Sequence, residues 1–506
     1  MSLDVLLIHP NAAKRIYQEL SNTLNGIEQP IWAGMIATYL RDRNVKVDIL
    51  DCEANGLTVD EAYEKVKELN PKIACIVVYG QQPSASTQNM VGSLELSLRL
   101  SDLDIQRAYI GAHPTALPQK TIEDDPGAFV CKGEGVRTLE VLNQVDDYTD
   151  YNKLRDVPGL CFHNEETKQI EVNRPAMLID DLDGEMGGVA WDLLPMENYR
   201  TANWHSWTNN NEQQPFASIY TSLGCPFQCT FCMINAPFNE GDNKNNKIRT
   251  WSPDNIIKHF DYFASLGIKN LKIADELFVL KPNHFLKICE MLKERDYGFN
   301  IWAYARIDTV REKYLEALKD AGVNWLGLGI ESANKNVRFE VTKGKFQETN
   351  IKDIVSKIGE AGINTTGNYI FGLPTDTHET MQETYELSRE LDTEYVNYYC
   401  AMAYPGSQLH RDAVANNPKL LPENNGVGWI GYSQHSYECF PLATDKLANW
   451  EILKFRDQAF LNYFNDQNYI KKTTDKFGPK FKEQINNMLA ATNNKPLKRK
   501  IVSENS

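Results

Sequence analysis

The sequence predicts an α/β protein with a doubly wound, Rossmann-like N-terminal domain, a second unit of six βα repeats and a mainly helical C-terminal segment. Two observations support this prediction. Short apolar strands alternate with amphipathic helices over residues 1–145, and the alternation resumes over residues 216–410 after a less periodic stretch. We therefore expect domains at 1–145 and 216–410, a wrapping linker at 146–215 and a capping segment on the substrate side at 411–506.

The first α/β domain is predicted from four apolar runs that have the length of buried parallel strands. These runs are Val5–Ile8, Val45–Leu50, Ile73–Val78 and Arg107–Ile110. Thr58 and Glu61 have the spacing of a capping box, so a helix is expected to begin after Thr58. A sheet of this kind binds its ligand beyond the carboxyl ends of its strands.

The second α/β unit begins after a predicted hairpin of Val157–His163 and Gln169–Val172. Its six strand candidates are Ile219–Leu223, Leu271–Ala274, Asn300–Tyr304, Trp325–Ile330, Tyr369–Phe371 and Tyr395–Met402. The intervening helices are expected to end near Gly267, Gly322 and Gly362, because glycine accepts the left-handed conformation that follows a helix. Six such units predict a partial βα barrel with its site at the carboxyl ends of the strands.

The C-terminal segment is rich in aromatic residues, Asn and Lys. Helices are expected near Leu447–Phe464 and Lys480–Leu489, and the polar tail from Asn493, with the basic run Pro496–Lys500, is expected to be mobile and solvated. Several aromatic residues either line a substrate pocket or pack in the core, and the sequence leaves both readings open. They are Tyr398, Tyr399, Trp429, Tyr432, Tyr437 and Phe440.

Charge and composition exclude several classes of protein. The 506 residues include 53 Lys and Arg against 68 Asp and Glu, so the net charge of −15 disfavours a nucleic-acid partner. A hydrophobic fraction of 42% excludes wholesale disorder, yet the sequence has no apolar run of membrane-spanning length. The first residues lack the pattern of a secretory signal, so we expect a cytoplasmic protein with reduced thiols.

Three of the ten cysteines are grouped directly after the first strand of the second unit, as Cys225, Cys229 and Cys232. No His or Cys follows them at zinc-finger spacing, which disfavours a structural zinc site. A [4Fe–4S] cluster held by three cysteines leaves one iron without a protein ligand, as a catalytic role requires. The dispersed cysteines are expected to be buried packing residues. They are Cys52, Cys75, Cys131, Cys161, Cys289, Cys400 and Cys439.

The C-x3-C-x2-C spacing, with an aromatic residue before the last cysteine, resembles the radical S-adenosylmethionine (SAM) superfamily. Further segments resemble this family in order and spacing over about residues 216–410: IADELF, AYARID, GLGIES, GNYIFGLPTDT and AYPGS. The resemblance implies a [4Fe–4S] cluster on the three cysteines, and SAM cleaved to a 5′-deoxyadenosyl radical after one electron arrives from a flavodoxin or ferredoxin. The SAM-binding residues it implies are Phe231, Asp275, Glu276, Arg306, Glu331 and Gly372.

Some of these assignments stay open on the residues alone. Either Asp275 or Glu276 contacts the amino group of SAM, and these acids and Glu331 have an alternative reading as helix caps or solvated loop residues. Arg306 has an alternative role as a surface partner of Asp308.

An α/β domain ahead of such a barrel resembles the cobalamin-binding subclass of the family, the class B methyltransferase-like proteins. The cobalamin contacts that this resemblance implies are Pro10, Gly80, Gly111, His113, Gly133 and Glu134. The D-x-H-x-x-G motif is absent after the first strand, so cobalamin is expected base-off, without a histidine ligand of that type. A degenerate Rossmann fold that docks the barrel or binds another nucleotide is the alternative, although G-x-G-x-x-G is also absent.

These resemblances imply a cobalamin-dependent radical SAM enzyme that C-methylates an unactivated carbon of a small metabolite or biosynthetic intermediate. A non-methylating ring formation, oxidation or rearrangement with the same cofactors is the first alternative. A tRNA-modifying activity is opposed by the acidic charge. A sensor that binds the cluster or cobalamin without catalysis is the alternative from another class.

Overall fold

The computed structural model describes residues 3–22, 26–202, 205–207, 212–238, 247–342 and 350–505. It confirms the predicted α/β fold class with two parallel sheets and a helical C-terminal segment. One hydrophobic core cluster includes buried residues of both sheets, from Val5 and Tyr109 to Trp325 and Tyr395. The two sheets therefore share a continuous core.

The first sheet has seven strands in the order β2-β1-β3-β4-β5-β6-β7. The strands are β1 (Val5–His9), β2 (Val47–Asp51), β3 (Ile73–Val78), β4 (Gln106–Gly111), β5 (Ala128–Cys131), β6 (Leu160–Asn164) and β7 (Gln169–Val172). Strands β1 to β5 are parallel, and the chain order reverses between β1 and β3, which makes this position the topological switch point.

The predicted hairpin is present as the antiparallel pair β6–β7. It pairs through β6 with the edge of β5, so the first sheet extends beyond residue 145 into the stretch expected to be a linker. Helices that belong to this part of the chain cover the sheet. They are α1 (Ala13–Tyr17), α2 (Ile31–Arg41), α3 (Val59–Leu69), α4 (Pro83–Arg99), α5 (Ala112–Ala116), α6 (Pro118–Asp124), α7 (Val136–Gln144), α8 (Tyr151–Arg155) and α9 (Leu182–Glu185).

The second large sheet has six parallel strands in chain order, as a partial βα barrel requires. The strands of this part of the chain are β8 (Phe216–Ile219), the short antiparallel pair β9 (Ser222–Leu223) and β10 (Arg249–Thr250), then β11 (Asn270–Ile273), β12 (Asn300–Arg306), β13 (Val323–Glu331), β14 (Asn364–Phe371) and β15 (Tyr395–Cys400). The first predicted strand, Ile219–Leu223, is thus wrong in its bounds, because the chain leaves the sheet after Ile219 and pairs separately at β9.

Helices alternate with these strands and continue into the C-terminal segment. They are α10 (Pro253–Ser265), α11 (Pro282–Arg295), α12 (Glu312–Asp320), α13 (Lys335–Thr342), α14 (Ile351–Glu360), α15 (His378–Leu391), α16 (Gln408–Asn416), α17 (Asn449–Phe464), α18 (Gln467–Phe477), α19 (Pro479–Ala490) and α20 (Lys500–Glu504). Gly267, Gly322 and Gly362 follow α10, α12 and α14 with φ values of +73°, +89° and +73°, which confirms the predicted helix ends.

The predicted mobile tail is wrong. The short helix α20 follows Arg499, which is 2% exposed and donates to both carboxylate oxygens of Asp457 on α17. Its guanidinium also donates to the backbone oxygens of Gln434 and Ser436. The tail is held in place because the Arg499 side chain donates to four buried acceptors. The number of basic residues in the tail does not predict these contacts. Among the described helices, none is long and apolar enough to cross a membrane.

Candidate active site

A cavity of about 530 Å³ lies between the two sheets. One wall is the switch point of the first sheet, where His9 ends β1 and Tyr79 and Gly80 follow β3. The opposite wall is formed by the carboxyl ends of β12 to β15 and by the cysteine-containing loop after β9. Proteins of both architectures bind ligands at the carboxyl ends of their strands. In this protein, both sheets place those ends at the same cavity.

Polar contacts between the sheets fix this alignment. Gln29, which precedes α2, donates to the backbone oxygen of Phe216 on β8 at 2.8 Å and accepts from the Ser218 hydroxyl at 2.9 Å. Glu28 forms an ion pair of 2.9 Å with Lys272, whose side chain is 4% exposed. The hydroxyl of Tyr220 donates to the backbone oxygen of Gln81 at 3.0 Å. These buried contacts hold the switch point against the barrel.

The three grouped cysteines, Cys225, Cys229 and Cys232, all line the cavity. Their loop begins at Gly224, whose φ is +87°. A Cβ at this position would lie 2.6 Å from the Lys247 carbonyl oxygen, so any other residue here would be strained. The side-chain amide of Asn235 donates to the backbone oxygen of Cys225 at 3.2 Å and so braces the loop. The loop therefore holds the three thiols toward one space.

The thiols are protonated when no cation is near. Burial raises the pKa of Cys225 to about 12 and that of Cys229 to about 11, and it raises the pKa of Cys232 well above its usual range. Within the described ranges, no group of three His, Cys, Asp or Glu residues is placed to hold a single metal ion.

Two carboxyl groups face the cavity beside the cysteines. Glu276 follows β11, and burial together with the charge of Asp275 raises its pKa to about 8. Glu331 ends β13, and burial raises its pKa to about 7, against the opposing effect of Arg306. Carboxyl groups held this way favour a cationic ligand, because a nearby positive charge restores the ionised form.

Asp275 faces away from the cavity. Its carboxylate accepts from the backbone N–H and hydroxyl of Thr221, at 2.5 and 2.6 Å, and from the Ser222 hydroxyl at 2.6 Å. The residue is 1% exposed and fastens the end of β11 to the turn before the cysteine loop. Of the two neighbouring acids, Glu276 is the one whose side chain reaches the cavity.

Glu331 reaches the cavity through an unusual backbone. Its φ is +66°, and the pairing of β13 with β14 shifts register between Gly329 and Glu331. A Cβ on Gly329 would lie 2.8 Å from the Glu331 carboxyl oxygen, so glycine is required for this side-chain position. Gly327 lies two residues earlier on the same strand, and a Cβ there would lie 2.4 Å from the Trp302 ring. Strain of this kind concentrates at functional sites.

Arg306 pairs with Asp308, which was the alternative left open by the sequence, and it also lines the cavity. Its Nε donates to the Asp308 carboxylate at 2.6 Å, and its guanidinium lies 3.6 Å from the centre of the Phe227 ring in the cysteine loop. Arg306 also lowers the pKa of Cys229, against the larger effect of burial. It therefore connects the end of β12 with the cysteine loop. Phe231, also in that loop, lines the cavity as well.

Gly372 lies outside the cavity lining. Its φ is +78°, and a Cβ there would lie 2.6 Å from the Ile452 side chain of α17. The residue is needed for the close packing of β14 against the C-terminal segment. Asn368 and Ile370, on the same strand, reach the cavity.

The residues implied as cobalamin contacts are dispersed. Gly80 lines the cavity, whereas Pro10, Gly111, His113, Gly133 and Glu134 lie outside its lining. Gly111 is required by packing, since a Cβ would lie 2.2 Å from the Val78 carbonyl oxygen. The backbone oxygen of Gly133 accepts from the Thr115 hydroxyl at 3.2 Å.

His113 and Glu134 have structural partners. The His113 ring is fully buried, edge-on to Trp429 at 4.5 Å, and burial lowers its pKa to about 3. Glu134 is 4% exposed, forms an ion pair of 2.7 Å with Arg249 on β10 and accepts from the backbone N–H of Ile179 at 2.8 Å. Both residues join the first sheet to other parts of the chain.

Sequence reasoning missed several cavity residues. They include Glu53 near the switch point, which pairs with His9 at 3.5 Å, and His435 and Arg456 of the C-terminal segment. No local pattern marks them, because distant segments of the chain bring them together. Of the aromatic residues that the sequence left open, Tyr398 and Tyr399 line the cavity, whereas Trp429 and Tyr432 pack in the core. The seven dispersed cysteines are buried as predicted.

Two family models match this chain. Residues 219–388 match the radical SAM superfamily, and residues 20–143 match the B12 binding domain. The chain thus carries a radical SAM domain joined to an N-terminal B12-binding domain.

Curated relatives and a solved structure agree with this domain pair. An uncharacterised methyltransferase of Pyrococcus horikoshii, PH0819, is 27% identical over 435 residues, covering 85% of this chain and 86% of the relative. An anaerobic magnesium-protoporphyrin IX monomethyl ester cyclase of Rubrivivax gelatinosus is 25% identical over 474 residues, covering 91% and 78%. The radical SAM methyltransferase TsrM of Kitasatospora setae, solved with tryptophan and a SAM analogue, shares the fold with a TM-score of 0.65 and 17% identity, over 97% of this chain and 99% of TsrM.

Proposed function

We propose that this protein is a cobalamin-dependent radical SAM C-methyltransferase that acts on a small metabolite or biosynthetic intermediate. One observation carries the proposal: the three cysteines and the switch point of the B12-binding domain line the same cavity. A substrate in this cavity would lie between the residues proposed to hold the two cofactors. The methyltransferase relative PH0819 supports the methyl-transfer reading.

We assign the [4Fe–4S] cluster to Cys225, Cys229 and Cys232, and the amino group of SAM to Glu276 rather than Asp275. The cysteine spacing fits the cluster, which would supply the positive charge needed to hold three buried thiols as thiolates. Glu276 fits a cationic ligand because its carboxyl group faces the cavity without a salt-bridge partner among the described residues. With SAM and one electron, the cluster supplies a radical that abstracts hydrogen from an unactivated carbon. The position of the cavity between two packed sheets would limit the access of water to such a species.

The switch point also fits cobalamin. Gln81 lines the cavity, and the oxygen of its side-chain amide is buried without a hydrogen-bond partner among the described residues. That oxygen suits the amide side chains around a corrin ring. We propose that cobalamin binds base-off, as the absent D-x-H-x-x-G motif implies, and without a histidine ligand, because His9 is paired with Glu53 and His113 is buried outside the cavity. The sequence has no histidine between these two.

The proposal is tested by anaerobic incubation of the reconstituted enzyme with methyl-deuterated SAM and a panel of candidate substrates. Methyl transfer yields S-adenosylhomocysteine, 5′-deoxyadenosine and a product that carries deuterium. Absence of both nucleosides across the panel would contradict radical chemistry. Cys225→Ala should lose cluster iron and all 5′-deoxyadenosine formation, whereas Cys289→Ala, a buried cysteine in α11, should retain both.

A non-methylating reaction is the second candidate, and the cyclase of Rubrivivax gelatinosus, which aligns over 91% of this chain, favours it. Formation of 5′-deoxyadenosine with an oxidised or cyclised product, but without S-adenosylhomocysteine or deuterium transfer, would select this reaction. For either reaction we infer a flavodoxin or ferredoxin as electron donor and a cytoplasmic setting, since an iron with an open position requires reducing surroundings.

A further inference from the structure

A buried cluster of charged residues lies at the C-terminal side of the cavity. Arg456 and Asp457 on α17 are 2% and 5% exposed, and Arg499 of the tail is 2% exposed. The Arg456 guanidinium lies 3.1 Å from Asp457 Oδ1, and Arg499 donates to Asp457 Oδ2 at 2.8 Å. Two guanidinium groups thus share one carboxylate, and the cluster carries one unbalanced positive charge.

An unbalanced charge inside a protein is costly unless a ligand completes it. Among the described residues, Asp457 is the carboxylate that forms an ion pair with Arg456. The neighbouring thiol of Cys400 stays neutral, since burial raises its pKa. The remaining polar neighbours, the backbone oxygens of Gln434 and Ser436, accept hydrogen bonds but carry no charge.

Two buried polar atoms at this wall lack partners among the described residues. They are Nε of Arg456 and Nδ1 of His435, and both residues line the cavity. Burial, together with the charges of Arg456 and Arg499, lowers the pKa of His435 to about 3, so its imidazole is neutral and adds no charge. The His435 ring is held by stacking on Tyr17, with centroids 5.6 Å apart.

The surrounding frame keeps both groups in place. Gln434 accepts from the backbone N–H of Cys400 and donates to its carbonyl, each at 3.0 Å, which fixes the loop against the end of β15. Arg499 donates to the backbone oxygen of Ser436 at 2.6 Å and closes the other side. The groups that carry the charge are therefore preorganised before a ligand arrives.

From this geometry we propose that Arg456 and His435 form the binding site for an anionic group, a carboxylate or a phosphate, of the substrate. The inference rests on the proposed function, because it places the substrate in the cavity shared with the cofactors. Other cationic groups of the cavity wall have acidic partners: Lys272 pairs with Glu28, and Arg306 pairs with Asp308. Arg456 is thus a positioning residue that directs an acidic metabolite toward the cysteine end of the cavity.

The site is tested by equilibrium binding to the reconstituted enzyme, without turnover, so the result does not depend on methyl transfer. The probes are benzoate, its neutral counterpart benzamide, and inorganic phosphate, titrated by calorimetry. We expect benzoate or phosphate to bind at least tenfold more tightly than benzamide, and Arg456→Gln to abolish that preference. Whichever anion binds more tightly identifies the carboxylate or the phosphate as the preferred group.

Two further variants keep the test decisive. Arg456→Lys retains the charge if the glutamine variant does not fold, and it should keep part of the anion preference. Arg155→Gln, in an exposed ion pair with Glu171, is the matched control and should bind as the parent does. The proposal would be overturned if neither benzoate nor phosphate binds the parent enzyme more tightly than benzamide, or if Arg456→Gln keeps the anion preference at normal iron content.

Discussion

Asp457→Asn is predicted to destabilise the C-terminal segment far more than removal of either arginine. The isosteric amide leaves the two guanidinium groups of Arg456 and Arg499 buried without a counter-charge. Breaking a buried pair in this way costs about 3–5 kcal/mol. Arg499→Met, by contrast, leaves Arg456 and Asp457 as a neutral pair, so it removes hydrogen bonds without leaving a buried charge uncompensated.

Native-state hydrogen exchange of α17 and α20 measures this difference, since it reports local opening in a large protein. At tenfold per 1.4 kcal/mol, Asp457→Asn should lower protection by roughly two to three and a half orders of magnitude. Asp475→Asn, an exposed position on α18, should change stability by less than about 0.5 kcal/mol. Phosphate should restore part of the protection in Asp457→Asn if the surplus charge attracts anions.

The pH dependence gives an independent check. The two arginines lower the pKa of Asp457 overall, although burial acts in the opposite direction. Its contribution to stability is therefore present above the unfolded pKa of about 3.9 and is lost as the pH falls through the lower folded value. The reasoning is refuted if Asp457→Asn matches the parent within about 1 kcal/mol at neutral pH, or if Arg499→Met is equally damaging.

Further predictions concern the cavity and its frame. Gly329→Ala should displace the carboxyl group of Glu331 and weaken SAM binding about 10- to 150-fold, the equivalent of about 1.5–3 kcal/mol, whereas Gly359→Ala, with open space at its Cβ, should bind SAM normally in the same titration. Glu134→Gln should leave Arg249 buried without its carboxylate and cost about 3–5 kcal/mol, measured as a lower urea midpoint. An unchanged midpoint would show that this ion pair does not hold β5 against β10.

The elements that the sequence predicted are those whose signal lies within a few neighbouring residues. The strand β3 has the predicted bounds, and Thr58 forms the predicted capping box with Glu61, because each signal lies within a few residues. The cysteine spacing likewise predicted a site that the fold presents to a cavity. Strand β5 and helix α18 were not predicted, since their short apolar patterns depend on neighbours supplied by other elements.

The sequence by itself determined the two α/β units, the grouping of Cys225, Cys229 and Cys232 and the exclusion of a zinc-finger spacing. The tertiary structure decided which acid reaches the cavity, because Thr221 and Ser222 engage Asp275 and leave Glu276 to face inward. It also decided that the basic tail is docked and that the C-terminal segment contributes cavity residues. Periodicity and spacing report what is near along the chain, whereas charge balance in a buried site depends on segments that meet only after folding.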